Sequence, residues 1–508
     1  MGPSDKDRHF RTEELSRDLR RHSVRAGAAA VAGQVSSNLL NLAATVILAR
    51  ILTPADYGLV AMVRVVIGFA GMFRDLGLSQ AMVQRESIEH KQVSTLFWIN
   101  LGFGAAITLV ILAAAPLLVR FYDEPRVLGI TCALAGLSVL DGLSIQQQAL
   151  LRRQLRVGVL VVIENVSLVI AIGIAVFLAV RGFGFWALVG LELAQIVLKT
   201  ALIWITSGWH PEATFDLRDV RSMLTFGGQI TAARFLHHLA RVFDRLLIGR
   251  FVGAEQLGIY SKAYASVLAP FDKASLALSR VAIPTLSRLQ SEPARFAAYY
   301  LKALLLVATA AFPLIAGLFV EARSAILIVL GEQWVGVVSL IRILIPVAVG
   351  EMIAMTTRWV MISLGRGDRL LKWRLFELIF KVTGVAIGVR WGAQGAAAGL
   401  LLVSIAMVGP GLAFCLAGSP LRLADVAATI WKPLLASMAA AAAVLFVQTA
   451  ASWVTSSGLE LVVIFALEAA LFLGVYLGVW LLLPGGRATL LDLLRLAREL
   501  RSTRGSSL

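Results

Sequence analysis

The chain has 508 residues, 58% of them hydrophobic and 15% charged, with a mean hydropathy of +0.81. Soluble domains carry about 25% charged residues, so a soluble fold has nowhere to hide this much apolar surface, and long apolar runs exclude a β-barrel, whose strands alternate. The formal charge of +16 is dispersed over short connections and the two tails, the distribution of topology signals and not of a nucleic-acid surface.

The chain opens on "MGPSDKDRHFRTEELSRDLRRHSVR", a polar stretch followed by no short apolar core with a cleavage site. It predicts a cytosolic tail over 1–25, not a signal peptide. Apolar windows of the roughly 20 residues needed to cross the membrane then recur at 26–49, 57–82, 94–118, 127–150, 157–180 and 184–206. After a linker at 207–223 come 224–248, 257–283, 299–322, 337–363, 371–390 and 393–416. Two more, at 432–452 and 459–483, lie within 417–483, and 484–508 forms a second cytosolic tail. The expected fold is an all-α polytopic membrane protein of about 14 transmembrane helices. It comprises two pseudo-symmetric six-helix bundles, 26–206 and 224–416, plus two C-terminal helices.

The connections orient this scheme. Even-numbered ones carry Arg152, Arg153 and Arg156, then Arg218 and Arg221, Arg288 and Arg295, then Arg366, Arg369, Lys372 and Arg374, then Arg422. The C-terminal tail adds Arg487, Arg495, Arg498, Arg501 and Arg504, whereas odd-numbered connections such as "RFYDEPR" (120–126) are sparse or balanced. Positive residues stay on the cytoplasmic side, so both termini are expected there.

An internal repeat sharpens the architecture. "LARILTPADYGLVA" (48–61) aligns with "IGRFVGAEQLGIYS" (248–261) at an offset of 200, placing Arg50 on Arg250 and Gly58 on Gly258. In the first span Gln34, Ser37, Asn38, Asn41 and Thr45 follow one helical face. The same offset leads to Arg234, His237, His238, Arg241 and Arg245, a cationic copy of a neutral stripe. Two halves repeated in one orientation describe a transporter with its substrate site near their interface.

A charge at the bilayer centre costs at least ~2.5–3.5 kcal/mol, so this stripe must face water, partner charges or the membrane surface. Arg241 and Asp244 fit an i, i+3 pair and Arg250 a snorkelling helix end. That pairing does not account for Arg234 and Arg245, and they point to an aqueous cavity for an anionic substrate, since guanidinium groups bind phosphate bidentately. Arg64, Arg74 and Asp75 in the second span, with Asn38 and Asn41 in the first, complete the candidate cavity residues. For Glu164, Glu192, Lys199, Glu351, Arg358, Glu377 and Lys381, interhelical ion pairs are the favoured reading.

Signals of catalysis are missing from the sequence. No GxxxxGK[ST] loop is present, His237–His238 has no metal spacing, and Cys132 and Cys415 fall inside spans as small apolar fillers. "RGFGFW" (181–186) reads as a turn, and "GAQGAAAG" (392–399) as close helix packing. No connection is long enough for a catalytic domain, which argues against a membrane glycosyltransferase or polymerase.

Several stretches carry a family resemblance: "ARILTPADYGLVAM" (49–62), "DLGL" (75–78), "STLFWIN" (94–100), "GFWALV" (184–189), "RVFDRLLIGRFVGAEQLGIYSKAY" (241–264), "GEQW" (331–334) and "LGRGD" (364–368). Together they resemble the WzxC-like lipopolysaccharide flippases of the polysaccharide transporter group, in the multidrug/oligosaccharidyl-lipid/polysaccharide superfamily. The resemblance covers about 25–420. It implies two six-helix bundles around a central cavity that works by alternating access. The implied cargo is a polyprenyl-pyrophosphate-linked oligosaccharide, moved across the bacterial inner membrane for exopolysaccharide, capsule or lipopolysaccharide assembly.

Arg241, Asp244 and Arg250 match the family's R-x-x-D-x-x-x-x-x-R pattern; Arg245 and the histidine pair depart from it. Membrane lipids, a polysaccharide polymerase and other export machinery are the implied partners. No cofactor is expected beyond coupling to a H+ or Na+ gradient. The competing reading, a multidrug or cation antiporter of the same superfamily, predicts an acidic cavity instead.

Overall fold

The computed structural model describes residues 19–73, 88–213, 242–450 and 459–487. Within them the chain is helical, with no strand. In the first half the helices are α1 (Leu19–Ile51), α2 (Pro54–Phe73), α3 (His90–Tyr122), α4 (Arg126–Ala135), α5 (Leu137–Arg153), α6 (Val157–Val180) and α7 (Trp186–Ser207). They are followed by α8 (242–251) and α9 (Ala254–Arg288). The second half continues with α10 (Pro293–Val320), α11 (Ala322–Val329), α12 (Gly336–Ser363), α13 (Gly367–Gly388) and α14 (Gly392–Leu416), and ends with α15 (Leu423–Ala450) and α16 (Leu459–Leu482).

Among the described residues ten helical stretches are long and apolar enough to cross a membrane, and one of them, 367–416, contains both α13 and α14. The chain is a multi-pass membrane protein. Helices α2 and α9 fall outside that set, so the ten do not map one to one onto the fourteen expected spans. The span expected over 127–150 is interrupted at Gly136, which joins α4 to α5. In the second half, the short α11 and a 3-10 turn at Glu332–Trp334 precede α12.

The chain divides into two compact units, Met1–Gly258 and Ile259–Leu508. In the first, α1 lies along α6 and α5 packs on both α3 and α7. Helix pairs in lipid gain little from apolar burial and rely on close backbone approach at small residues. A Cβ on Gly104 would stand 2.6 Å from the Ser138 carbonyl oxygen, and one on Gly142 2.9 Å from that of Asn100, so α3 and α5 touch along their backbones. At one end Ile88, Val93, Phe97, Leu150 and Trp209 form a buried cluster, folding the segment after α7 back onto α3.

In the second unit α13 and α14 repeat the device with two glycines each. A Cβ on Gly388 would lie 2.1 Å from the Gly395 carbonyl oxygen, and one on Gly399 2.1 Å from that of Gly384. The small-residue stretch at 392–399 is therefore a helix-packing surface. Helix α12, buried along much of its length, packs against α14. Helices α15 and α16 pack on α10 through Val320, Ala436, Ala440, Phe472, Tyr476 and Trp480.

One helix-end turn recurs in the two halves of the chain. At an offset of 210, Leu155 and Gly365 occupy the same left-handed position, φ 55° and 69°, between α5 and α6 and between α12 and α13. The hydrogen bonds around them match: Arg156 N–H donates to Leu151 O and Arg366 N–H to Met361 O, both at 2.9 Å. One turn is built on glycine, the other on a strained leucine.

Candidate functional site

Arg234, His237, His238 and Arg241 lie outside the described residues, as do Arg74 and Asp75. Of the cationic stripe, Asp244 and Arg245 are described, both half-buried on α8. The Arg245 backbone N–H donates to Asp244 Oδ1 at 2.8 Å, so the carboxylate sits beside its own helix backbone as a local counter-charge. Arg250 is exposed at the end of α8, its guanidinium 6.0 Å from the Phe121 ring centre and 5.9 Å from that of Phe251. This is the geometry of a cation resting on aromatic faces at a helix end.

The neutral stripe on α1 is partly used for packing. Ser37 donates to Asn165 Oδ1 on α6 at 2.7 Å. Asn41 turns its amide to the Ser37 carbonyl at 2.7 Å, and Gln34 donates to Asn38 Oδ1 at 3.3 Å. Asn38 and Asn41 themselves remain exposed within their unit.

The intramembrane charges pair between helices. Arg64 on α2 is bonded to Glu192 on α7, with the Arg64 side chain 52% exposed. Lys199 on α7 lies 4.0 Å from Glu164 on α6. In the second unit Lys381 on α13 bridges Glu351 on α12, at 2.5 Å, and Glu377 one turn earlier, at 2.8 Å. Arg374 closes on Glu377 at 2.8 Å, and Arg358 reaches Ser275 Oγ on α9 at 3.4 Å. Lys381 and Arg374 therefore hold the two carboxylates between them. Arg374, counted by its charge with a connection although it falls within the 371–390 span, lies on α13.

Outside the spans, Glu124 between α3 and α4 receives two bonds from Arg126, at 2.8 and 2.9 Å. That fork holds its carboxyl below the usual carboxylate range.

Beside the charged cluster runs a feature the sequence did not reveal. A cavity of about 800 Å³ opens between α10, α12, α14 and α15, lined by residues such as Phe312, Phe319, Val349, Ile405, Met438 and Ala441. Its lining side chains are almost wholly apolar. Gly350, Ile353 and Val408 line it and also line the smaller adjoining pocket that holds Glu351, Glu377 and Lys381. Four helices separated by up to about a hundred residues contribute one or two faces each, so no local pattern marks the groove in advance. Small residues on three of these helices, Gly350, Gly409, Ala441 and Ala442, line it.

Comparison with known proteins completes the site. The family described as "Polysaccharide biosynthesis protein" matches residues 47–339. The chain is 29% identical to the Bacillus subtilis teichuronic acid biosynthesis protein TuaB, over 64% of this chain and 68% of that one. It is 25% identical to the Escherichia coli lipopolysaccharide biosynthesis protein WzxC, over 72% and 75%. Among solved structures it superposes on the lipid II flippase MurJ with a TM-score of 0.67 at 12% identity, covering 90% of this chain and 98% of that one. An inward-facing multidrug transporter of the MATE family, in the MOP superfamily, superposes with a TM-score of 0.55 at 14% identity, over 77% and 94%. At these identities the two structures establish the fold, which a flippase and a drug transporter share; a further relative, 25% identical over 68% of this chain and 70% of its own length, is the Rhizobium meliloti succinoglycan biosynthesis transport protein ExoT. With a match over the larger part of its length, the chain belongs to the polysaccharide biosynthesis protein family of multi-pass membrane proteins.

Proposed function

We propose that the chain is a flippase that moves a polyprenyl-pyrophosphate-linked oligosaccharide across the bacterial inner membrane, for exopolysaccharide, lipopolysaccharide or capsule assembly. The observation that carries this reading is the shared wall between the apolar groove and the charged pocket. A ligand with a long hydrocarbon tail and an anionic head needs both environments side by side. The groove suits the polyprenyl chain, and the adjoining pocket, where Lys381 stands with Glu351 and Glu377, supplies the polar surroundings that a head group needs. The names of TuaB and WzxC, both biosynthesis proteins for surface polysaccharides, support the same cargo class.

In this proposal Arg234, His238, Arg241 and Arg245, with Arg64, Asn38 and Asn41, line a hydrated path for the glycan. Alternating access follows from two states that bind the head group with different affinity. In this reading both termini face the cytoplasm, which the distribution of arginines favours, and a polymerase receives the cargo on the far side. The test is glycan export in cells carrying Arg241→Ala or Arg245→Ala, with protein levels in the membrane measured in parallel. Loss of export at normal levels is the expected result; normal export in both variants refutes the cationic path.

A further inference from the structure

At the seam where α15 and α16 meet α10 and α11, two carboxyl groups lie together with no cation between them. Glu321 caps the C-terminus of α10 and begins α11, and only 6% of its surface is exposed. Glu468, on α16, is 9% exposed. Helix α16 packs against α11, and the Glu468 carboxyl neighbours that of Glu321. Gln448 on α15 donates to the other side of the pair, its Nε2 3.0 Å from Glu468 Oε2. Neither Glu321 oxygen accepts a well-formed hydrogen bond among the described residues, and neither carboxylate joins an ion pair there.

The surrounding elements supply no counter-charge. On α11 the neighbours are Ser324, close to the Glu321 carboxyl, and Arg323, which is exposed. On α12 Arg342 is exposed, with its guanidinium 6.0 Å from the Phe319 ring centre. Glu332 precedes α12, and Glu460 and Tyr476 are the other titratable groups of α16. Tyr476 is committed to the Thr309 carbonyl at 3.0 Å.

Two buried carboxyls side by side cannot both ionise at modest cost, and two acceptors make no hydrogen bond until one carries a hydrogen. We propose that Glu321 and Glu468 form a proton-binding site, in which a single proton is shared across the seam between α10–α11 and the C-terminal helix pair. With the proton, Glu321 and Glu468 bond to each other and Gln448 completes the shell. Without it, two negative charges repel across the contact that seats α16. Protonation thereby controls how firmly the C-terminal pair is held. This site is independent of the cargo assignment, and it gives the expected proton coupling a definite location.

The test is infrared spectroscopy of the purified full-length chain in detergent, read for absorption by protonated carboxyl groups. A solvated glutamate, with a pKa of about 4.3, is ionised near neutral pH, whereas the shared proton should persist. The expected result is a protonated-carboxyl band near neutral pH in the wild type, lost in both Glu321→Gln and Glu468→Gln. Both substitutions keep shape and hydrogen-bonding capacity, so the variants should remain folded by circular dichroism. Absence of the band from the wild type, or a band of equal intensity in both variants, overturns the proposal. So does loss of the wild-type band on adding sodium at constant pH, which would make the pair a metal-cation site.

Discussion

Gly58 and Gly258, two hundred positions apart, each press into the helix turn that bears the other. A Cβ on Gly58 would stand 1.6 Å from the carbonyl oxygen of Ala254, and one on Gly258 1.9 Å from that of Pro54. Each glycine thus meets the residue four positions before its counterpart, and both turns belong to the first compact unit. The contact is self-complementary in the manner of a two-fold interface. The two stretches aligned in the sequence, 48–61 and 248–261, thus meet at these glycines.

We expect Gly58→Ala and Gly258→Ala each to destabilise the chain by roughly 1–3 kcal/mol, the usual cost of overpacking. The contact is shared, so the double variant should lose less than the sum of the two. Thermal unfolding in detergent measures all three. Strict additivity would mean that the two close approaches are energetically separate.

Lys381 bridges two carboxylates at once. Lys381→Met should leave Glu351 and Glu377 without their bridge and cost about 3–5 kcal/mol, as removal of one partner from a buried pair does. Adding Glu351→Gln to that variant should recover part of the loss, because one uncompensated charge is gone. Unfolding midpoints of the two variants decide the matter; no recovery would assign the loss to packing.

For Arg64 and Glu192 the pair is partly exposed, so its contribution to stability should be only about 0.2–1 kcal/mol. Glycan export separates its roles. If the pair is structural, Arg64→Glu combined with Glu192→Arg restores the export that either single reversal loses. Failure of the exchange to restore export would assign Arg64 a direct contact with cargo.

Filling the apolar groove should block transport without unfolding the chain. Ala441→Trp, on the groove wall, is expected to reduce export at least tenfold, equivalent to about 1.4 kcal/mol of lost binding. Ala441→Val, which adds far less volume, should retain most of the activity. Equal export by both variants would remove the groove from the path.

The turns at Leu155 and Gly365 allow a simple exchange. Gly365→Ala should cost about 1–2 kcal/mol, because a Cβ strains the left-handed conformation. Leu155→Gly should relieve a similar strain at the cost of a half-buried side chain, so little net change is expected. A Gly365→Ala variant as stable as the wild type would show that this turn shifts its backbone freely.

Much of this was legible along the chain, and the reasons differ from residue to residue. Spans such as 157–180 were readable to the residue because a membrane-crossing helix must satisfy its backbone hydrogen bonds internally and expose apolar side chains. The glycines of 392–399 announced close packing because nothing larger permits it. The charges at Glu351, Glu377 and Lys381 were recognisable as partners by type, but not which paired with which, since Lys381 and Glu351 sit on different helices. Arg374 was counted with the connection by its charge although it falls within the 371–390 span, and that charge is covered by Glu377 one turn along the helix.

By itself the sequence determined a multi-pass helical membrane protein, its repeat, its family and the charges that had to find company. These follow from local requirements: apolar length, helical periodicity and the cost of an unpaired charge in hydrocarbon. Only the tertiary structure decided the reciprocal seat of Gly58 and Gly258, the Lys381 bridge, the apolar groove beside it and the meeting of Glu321 with Glu468. Each is a contact between surfaces far apart in the chain, and which surfaces meet is set by the packing of whole helices.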